Sequence, residues 1–435
     1  MPSVCVVGGG LAGLAAAAAL GEAGLDVELF ESRGFLGGRA TSYPAPGAEE
    51  GEPAIDNCQH ILLGCCVNLI DFYRRLGVAE KIVFHRAFRF VEPGGRVSRL
   101  EAAGLPAPLH FGPSFLTMPC FDWSDRVAIG RALLAMKRQR ERPDLDRITM
   151  AEWLAGQKQT TRAMERFWRQ VLVSAINEEL DRMAASHGFQ VFRLGFLSGA
   201  RWSAMGVPRV PLAELYGEEA WRRLPRVKIR TRTPVDSVAG GVTLADGQRR
   251  EPDAMVLAVP WERAAALAPH IGLDFTGWDH SPITGIHLWF DRTVTEWPHA
   301  TLLDRSVHWM FNKGGGRHIQ LVASASRGLA AMARGEVIDQ AVRELAEFLP
   351  EAGRAKIERA HVVKEMRATY SAAPGLEARR PGTATSDERL FLAGDWTRSG
   401  WPATMEGAVR SGYLAAEAVC RKLGLPARFL KPDVA

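Results

Sequence analysis

Residues 4–32, VCVVGGGLAGLAAAAALGEAGLDVELFES, constrain the fold more than any other part of the chain. An apolar strand runs into a glycine turn, the turn into an alanine-rich helix, and the helix into a second apolar strand. Gly8, Gly10 and Gly13 follow the spacing G-x-G-x-x-G. In such a strand–turn–helix start the first glycine permits the tight turn and the second lets backbone N–H groups approach a pyrophosphate. The third lets the helix pack closely on the sheet. Ala12, Ala15, Ala16 and Ala19 continue that close-packing row. Glu31 ends the second strand, where a carboxylate holds two ribose hydroxyls and repels a 2′-phosphate, which disfavours NADP. Strand, helix and acid agree, so the chain is expected to open with a dinucleotide-binding Rossmann unit.

Composition narrows the class further. A chain of 435 residues is long enough for two intertwined domains, or for one large domain with an insertion. No run of eighteen apolar residues appears, so no membrane-spanning helix is expected. A nucleotide fold starting at Ser3 leaves no room for a secretory leader. The six cysteines (Cys5, Cys58, Cys65, Cys66, Cys120 and Cys420) form neither a CxxC pair nor a disulfide framework. A reduced, cytoplasmic protein is expected. The net charge of +5 suits an anionic membrane face or nucleic acid. The basic residues are dispersed rather than striped, which argues against nucleic acid. The histidines lack the i, i+4 spacing of zinc sites, so no metal is expected.

Just past Glu31, the stretch SRGFLGGRATSY places Gly37, Gly38 and then Arg39. A second glycine pair gives a second close backbone approach, and a fixed guanidinium suits phosphate oxygens. Read alone, it equally fits a turn with a solvent-facing arginine. Joined to the Rossmann unit, an acid followed by Gly-Gly-Arg resembles the flavin-containing amine oxidase and carotenoid desaturase superfamily. The resemblance implies FAD, with Arg33 and Arg39 near the pyrophosphate. Leu11, Ala12 and Ser32 adjoin these positions and are read as cofactor contacts with them. It also implies an α/β fold: a Rossmann-like FAD-binding domain of the p-hydroxybenzoate hydroxylase/amine oxidase type, interwoven with an α+β substrate domain that carries a helical insertion. The expected FAD domain is discontinuous, at 1–83, 226–275 and 380–425. The substrate domain takes 84–225 and 276–379, with a helical part at about 124–190.

In IDNCQHILLGCCVNLIDFYRRLG, the apolar positions Ile61, Leu62, Val67, Leu69, Ile70, Phe72 and Leu76 suggest a buried helix ending at Gly77, with Asp56–His60 as a loop before it. The matching superfamily loop, D-x-G, lies against the isoalloxazine ring; here Cys58 stands at its third position, and Cys58, Gln59 and His60 are read as cofactor contacts. The string DN-x-QH followed by ILLG resembles a narrower group, the squalene-associated FAD-dependent hydroxysqualene dehydroxylases of hopanoid synthesis. That resemblance makes His60 a candidate proton donor, although a lone histidine equally fits a hydrogen-bonded structural role.

Further on, FRFVEPGGRVSRLEA and PLHF read as strands, the first with a Pro-Gly-Gly turn. SDRVAIGRALLAMKRQRER reads as a basic amphipathic helix capped by Ser124. Such a helix fits an anionic bilayer or a packed helix with a solvated basic face. Val235 begins a hairpin-like unit, and the superfamily resemblance puts it against the adenine. Ala254–Val259, Ile283–Phe290, Trp309-Met310 and His318–Ala323 read as strands.

Near the C-terminus, ERLFLAGDWT is an apolar strand ending in Gly394-Asp395. Doubly wound folds place ligands at such strand ends, and Asp395 suits ribityl hydroxyls. A helix is expected from Met405, its positive dipole end facing the flavin's pyrimidine edge. Amine oxidases usually carry a Tyr directly before Met-Glu-Gly as one wall of an aromatic cage. Here Thr404 takes that place, with Trp401 three residues earlier, which weakens an amine oxidase reading. The resemblance therefore implies an apolar isoprenoid substrate: hydroxysqualene reduced to squalene by hydride from reduced FAD, with His60 as acid and Trp401 and Trp396 as aromatic faces for a cation. A carotenoid-type desaturase is the alternative, and a non-catalytic flavin-fold binding protein a further one. An electron donor for FAD is implied, and peripheral contact with the inner face of the membrane is expected from such a substrate.

Overall fold

The computed structural model describes residues 1–434. Five parallel strands form one sheet, in the spatial order Val227–Arg230, Asp26–Phe30, Ser3–Val7, Ala254–Leu257, Leu390–Leu392. Its central strands are runs of Val, Leu, Met and Phe because both faces are covered. The helix Leu11–Glu22 covers one face, with Leu11 through Leu20 buried. The helix Met405–Lys422 packs on it at backbone contact: a Cβ at Gly412 would sit 2.2 Å from the Ala12 carbonyl oxygen. Only a Gly-on-Ala surface allows two helices to come so close.

A second sheet has seven strands, in the order Ile357–Tyr370, His280–Phe290, His318–Ala323, Trp309–Gly314, His299–Leu302, Ala87–Val91, Val97–Glu101. All its neighbours are antiparallel except His299–Leu302 against Ala87–Val91. Val337, Ala341, Leu345 and Phe348 of the helix Arg334–Phe348, spaced i, i+4, i+8, i+11, bury one face of that sheet. A helical region at 112–196 lies on the side where Phe88, Phe90 and Trp309 form a second apolar cluster with Phe111, Phe115 and Phe167. The result is the expected α/β architecture, a Rossmann-like sheet interwoven with an α+β second part.

Three local expectations are corrected. The helix foreseen from Ile61 starts at Val67, because Leu62–Leu63 pairs instead with Met205 and Gly206. A Cβ at Gly64 would lie 2.1 Å from the Arg201 carbonyl oxygen, so the chain passes too close to the turn at Arg201 to coil there. The segment PLHF is a helical turn, Leu109–Phe111, not a strand; prolines at 106 and 108 lack the N–H a ladder needs. The basic helix spans Trp123–Arg138 and begins after Asp122, not Ser124: the Asp122 N–H donates to Asp125 Oδ2 at 2.8 Å, closing a capping box.

Candidate functional site

The glycine turn, the acid and the Gly-Gly-Arg stretch meet at one end of the parallel sheet. Gly8 has φ +110°, and its Cβ would strike the Ala258 carbonyl oxygen at 2.6 Å; at Gly13 a Cβ would meet the Gly8 oxygen at 1.9 Å. Both glycines are dictated by packing. At Gly10, by contrast, a Cβ would meet nothing within 4 Å, so this backbone faces open space. Leu11 and Ala12 follow as the buried first turn of the helix. The Gly37 N–H donates to the Gly9 carbonyl at 2.9 Å, and a Cβ on Gly38 would approach the Gly10 Cα to 3.1 Å. Two glycine turns are thereby stacked into one cradle, which fits a pyrophosphate.

Glu31 closes the cradle. Its Oε2 accepts from the Gly9 N–H at 2.7 Å, while Oε1 accepts from the Arg33 N–H at 2.7 Å and from Ser32 Oγ at 3.2 Å. Arg33 itself is exposed, its guanidinium 5.6 Å over the Phe35 ring. The Thr233 N–H donates to the Glu31 carbonyl, bringing the chain to Val235, whose side chain is buried between the sheet and the hairpin unit. Arg39 reaches across to the other end of the sequence and pairs with Asp395 Oδ2 at 2.6 Å, also donating to the Ala368 carbonyl.

The loop Asp56–His60 lies beneath Arg39 and against the seven-stranded sheet. Burial alone would raise the Asp56 carboxyl. Lys313 at 2.8 Å, with the Leu212 N–H and the Ser42 hydroxyl, holds it below its ordinary value. Lys313 also donates to Gln59 Oε1 at 3.0 Å. Cys58 is buried, and burial pushes its thiol far above its ordinary pKa, so it is inert. Its φ is not positive, so glycine is not required here. The side chain faces Gly285, where a Cβ would lie 3.8 Å from Cys58 Sγ. His60 Nδ1 lies 2.7 Å from the Cys58 carbonyl. A carbonyl only accepts, so Nδ1 carries the proton, and burial lowers the ring's pKa. The resting imidazole is neutral with Nε2 as an acceptor. In this tautomer His60 takes a proton at Nε2 before it can give one.

At the C-terminal half, the strand Leu390–Leu392 ends at Gly394, whose φ is +147° and whose N–H donates to Ser411 Oγ at 2.8 Å. Two buried arginines, unread in the sequence, shape the loop that follows. Arg380 donates to the carbonyls of Asp395 and Thr397, and Arg410 to that of Ser399 at 3.1 Å. Isolated charges inside apolar surroundings were the available signal, as at Arg410 in GAVRSGYLAA. Thr404 caps the helix Met405–Lys422: its Oγ1 accepts from the Gly407 N–H at 3.0 Å. The small side chain thus has a structural task as well. Trp396 is corrected: it is buried in the core against Phe275, its indole N–H on the Val259 carbonyl. Trp401 stands apart from it, its N–H held by Asp433 at 2.9 Å.

Trp401, Thr404, Met405 and Glu406 line a cavity of about 340 Å³. Much of the remaining wall comes from Ile61–Leu63, from Phe111 and Phe115, and from Phe167, Phe192 and Phe196, with Trp309 of the second sheet. Phe167 lies in one π-helical stretch, Met164–Arg169, and Phe192 and Phe196 in another, Phe192–Phe196. Such widened turns are rare and gather at functional sites. Among the described residues lining the cavity, Glu406 is the single carboxylate. Its oxygens already accept from the Asn68 N–H, Asn68 Nδ2 and the Leu69 N–H at 3.1, 2.8 and 2.7 Å. His60 does not line the cavity; its neighbour Ile61 does.

A dinucleotide cradle at the end of a parallel sheet, beside an apolar cavity walled by both ends of the chain and by the helical region, defines a cofactor-dependent oxidoreductase of the doubly wound class. The chain belongs to the flavin containing amine oxidoreductase family, whose model matches residues 11–420. FAD is its cofactor. The chain is 25% identical over 481 aligned positions to the zeta-carotene desaturase of Synechocystis, covering 96% of each chain. It is 26% identical over 462 positions to the chloroplastic/chromoplastic 15-cis-phytoene desaturase of Solanum lycopersicum, covering 96% of this chain and 77% of that one. The fold matches putrescine oxidase bound to putrescine with a TM-score of 0.71 at 16% identity, over 97% of this chain and 99% of that one. At that identity the last match speaks for the fold alone.

Proposed function

We propose that this FAD-dependent oxidoreductase exchanges a hydride with a long, apolar isoprenoid lying in the cavity. The observation that carries the reading is the cavity wall, mostly aromatic and aliphatic, which includes Trp401, Thr404, Met405 and Glu406. An ammonium ion there would lose its hydration without gaining a free counter-charge, since Glu406 is already satisfied by N–H donors. FAD, when bound, supplies hydride acceptance or donation. The chain's own residues do the rest. Gly10 and Gly37-Gly38 hold the pyrophosphate, Glu31 and Ser32 the ribose, and Val235 the adenine side. Arg39 and Asp395 exchange part of their mutual pairing for phosphate and ribityl hydroxyls. Cys58, Gln59 and His60 back the ring, and the cavity keeps water out.

The desaturase relatives favour dehydrogenation as the first reading: a C–H hydride leaves, a neighbouring proton passes by relay to a base such as His60 Nε2, next to Ile61 of the cavity wall, and an external acceptor removes the electrons. A second reading is reductive dehydroxylation of hydroxysqualene, in which hydride and a proton enter and water leaves. The Asp56–Gly64 loop resemblance favours it, as does a polar station in the cavity wall, where Trp309 Nε1 donates to Ser174 Oγ at 2.8 Å beside Gln170. Product analysis by mass spectrometry separates them. Oxidised holoprotein with phytoene and a quinone acceptor gives a product lighter by two hydrogens if it desaturates. Prereduced holoprotein with hydroxysqualene gives squalene if it dehydroxylates. Failure of both arms, with FAD bound, removes the isoprenoid reading.

A further inference from the structure

The helices that wall the cavity also carry an apolar surface that nothing in the fold covers. The helix Trp123–Arg138 buries Ala128, Ile129, Ala132 and Met136, and turns Gly130 and Leu133 to the cavity. Its adjacent edge, Trp123, Val127 and Leu134 at i, i+4 and i+11, faces solvent, with Trp123 66% and Leu134 55% exposed. The preceding segment repeats the arrangement. Phe111 and Phe115 face the cavity, while Leu105, Leu109 and Leu116 are exposed, Leu109 at 61%. Of the twelve large apolar side chains exposed among the described residues, these six share one stretch of thirty residues, which is not the scatter of an ordinary surface. Arg131, Lys137 and Arg138 flank the stripe. All three are exposed and enter no ion pair among the described residues.

We infer that this surface docks on an anionic lipid bilayer, with Trp123, Leu109, Leu116 and Leu134 entering the acyl boundary and Arg131, Lys137 and Arg138 meeting the headgroups. Three observations choose a bilayer over a protein partner. The exposed side chains stand on the helix Trp123–Arg138 and on the loop and short helical turns just before it rather than in a groove, a tryptophan stands among them, and the unpaired charges flanking the helix stripe are all positive. Resting on the isoprenoid reading, the docking gives the cavity its supply: a substrate that hardly enters water passes from hydrocarbon to cavity along Leu116 and Phe115. No helix among the described residues is long and apolar enough to cross a membrane, so contact through this face is of the surface-lying kind.

Co-sedimentation of the FAD-loaded protein with vesicles tests this. The protein should pellet with phosphatidylcholine–phosphatidylglycerol vesicles and far less with phosphatidylcholine alone, and high salt should weaken the binding. The double variant Trp123→Ser, Leu134→Ser should bind about tenfold more weakly, and Lys137→Glu, Arg138→Glu should lose the preference for anionic lipid. These side chains are exposed, so both variants should melt at the wild-type temperature, retain FAD and turn over detergent-dispersed substrate at the wild-type rate. With vesicle-borne substrate their turnover should fall. Absence of pelleting, or variants that pellet like the parent, would overturn the proposal, as would a dimer in solution that the apolar variant breaks while vesicles go unbound. If vesicles bind but no isoprenoid reacts even in detergent, the substrate reading fails and the docking surface stands.

Discussion

Glu406 does for the helix Val67–Arg75 what a local cap would otherwise do. Cys66, before the first turn, makes no side-chain cap, and the carboxylate arriving from 338 residues away takes the N–H groups of Asn68 and Leu69 instead. The Glu of Met-Glu-Gly is therefore a staple between the two ends of the chain. Arg380 has a comparable task for the loop bearing Asp395, and Arg380→Ala should cost about 3 kcal/mol in urea unfolding by orphaning buried carbonyls. FAD retention after gel filtration should fall with it; an unchanged midpoint and full flavin content would show the arginine to be dispensable. For His60 the expected outcome is different. His60→Ala should keep FAD and stability but lower turnover about a hundredfold if the ring takes the substrate proton. Near-normal single-turnover rates would end that assignment.

Between elements, the tightest contact is Gly412 on Ala12. Gly412→Val forces the first and last helices apart, and a loss of roughly 1–3 kcal/mol is expected in thermal or denaturant unfolding. Because Ala12 lies in the turn after Gly10, the same variant should release FAD more easily, whereas Gly335→Ala, at an open position without a positive φ, should leave cofactor affinity unchanged. This contact also marks how far the sequence could be read. Gly8, Gly13 and the alanine row announced the parallel sheet and its first helix, because steric rules at glycine act locally. Gly394-Asp395 announced the second half of the site for the same reason. The stations that required partners far off in the chain stayed hidden: Lys313 under Asp56, and the two loop-holding arginines. The π-helical stretches behind Phe167 and Phe192 were equally illegible, since an extra residue in a turn leaves no local composition signal. His60 was found, but its tautomer depends on the loop bringing the Cys58 carbonyl round to Nδ1.

At the scale of the molecule, burial of histidine sets the acid limit of stability. Burial brings His287 and His299 from 6.5 to about 3, and His187, His308 and His318 to about 4. A folded-state pKa below the unfolded one means the unfolded chain binds the proton more readily. Their stabilisation is thus complete above pH 6.5 and drains as pH falls toward 4, each by up to about 1.4 kcal/mol per pH unit. Glu406, raised by burial to about 7, acts in the opposite sense: its contribution is present below its unfolded value and lost as pH rises through 7. Five groups outweigh one. The melting temperature should fall steadily below pH 6.5, and His299→Leu should lessen that slope; a flat profile down to pH 4 would contradict the account.

The flavin's absorbance under anaerobic conditions tests the central claim most directly. Holoprotein mixed with a long-chain isoprenoid should change colour: bleaching with phytoene from the oxidised state, or recovery of the oxidised band with hydroxysqualene from the prereduced state. Putrescine should leave the spectrum unchanged. Rapid bleaching by the amine, with neither isoprenoid altering either state, would contradict the claim that this apolar cavity serves an isoprenoid.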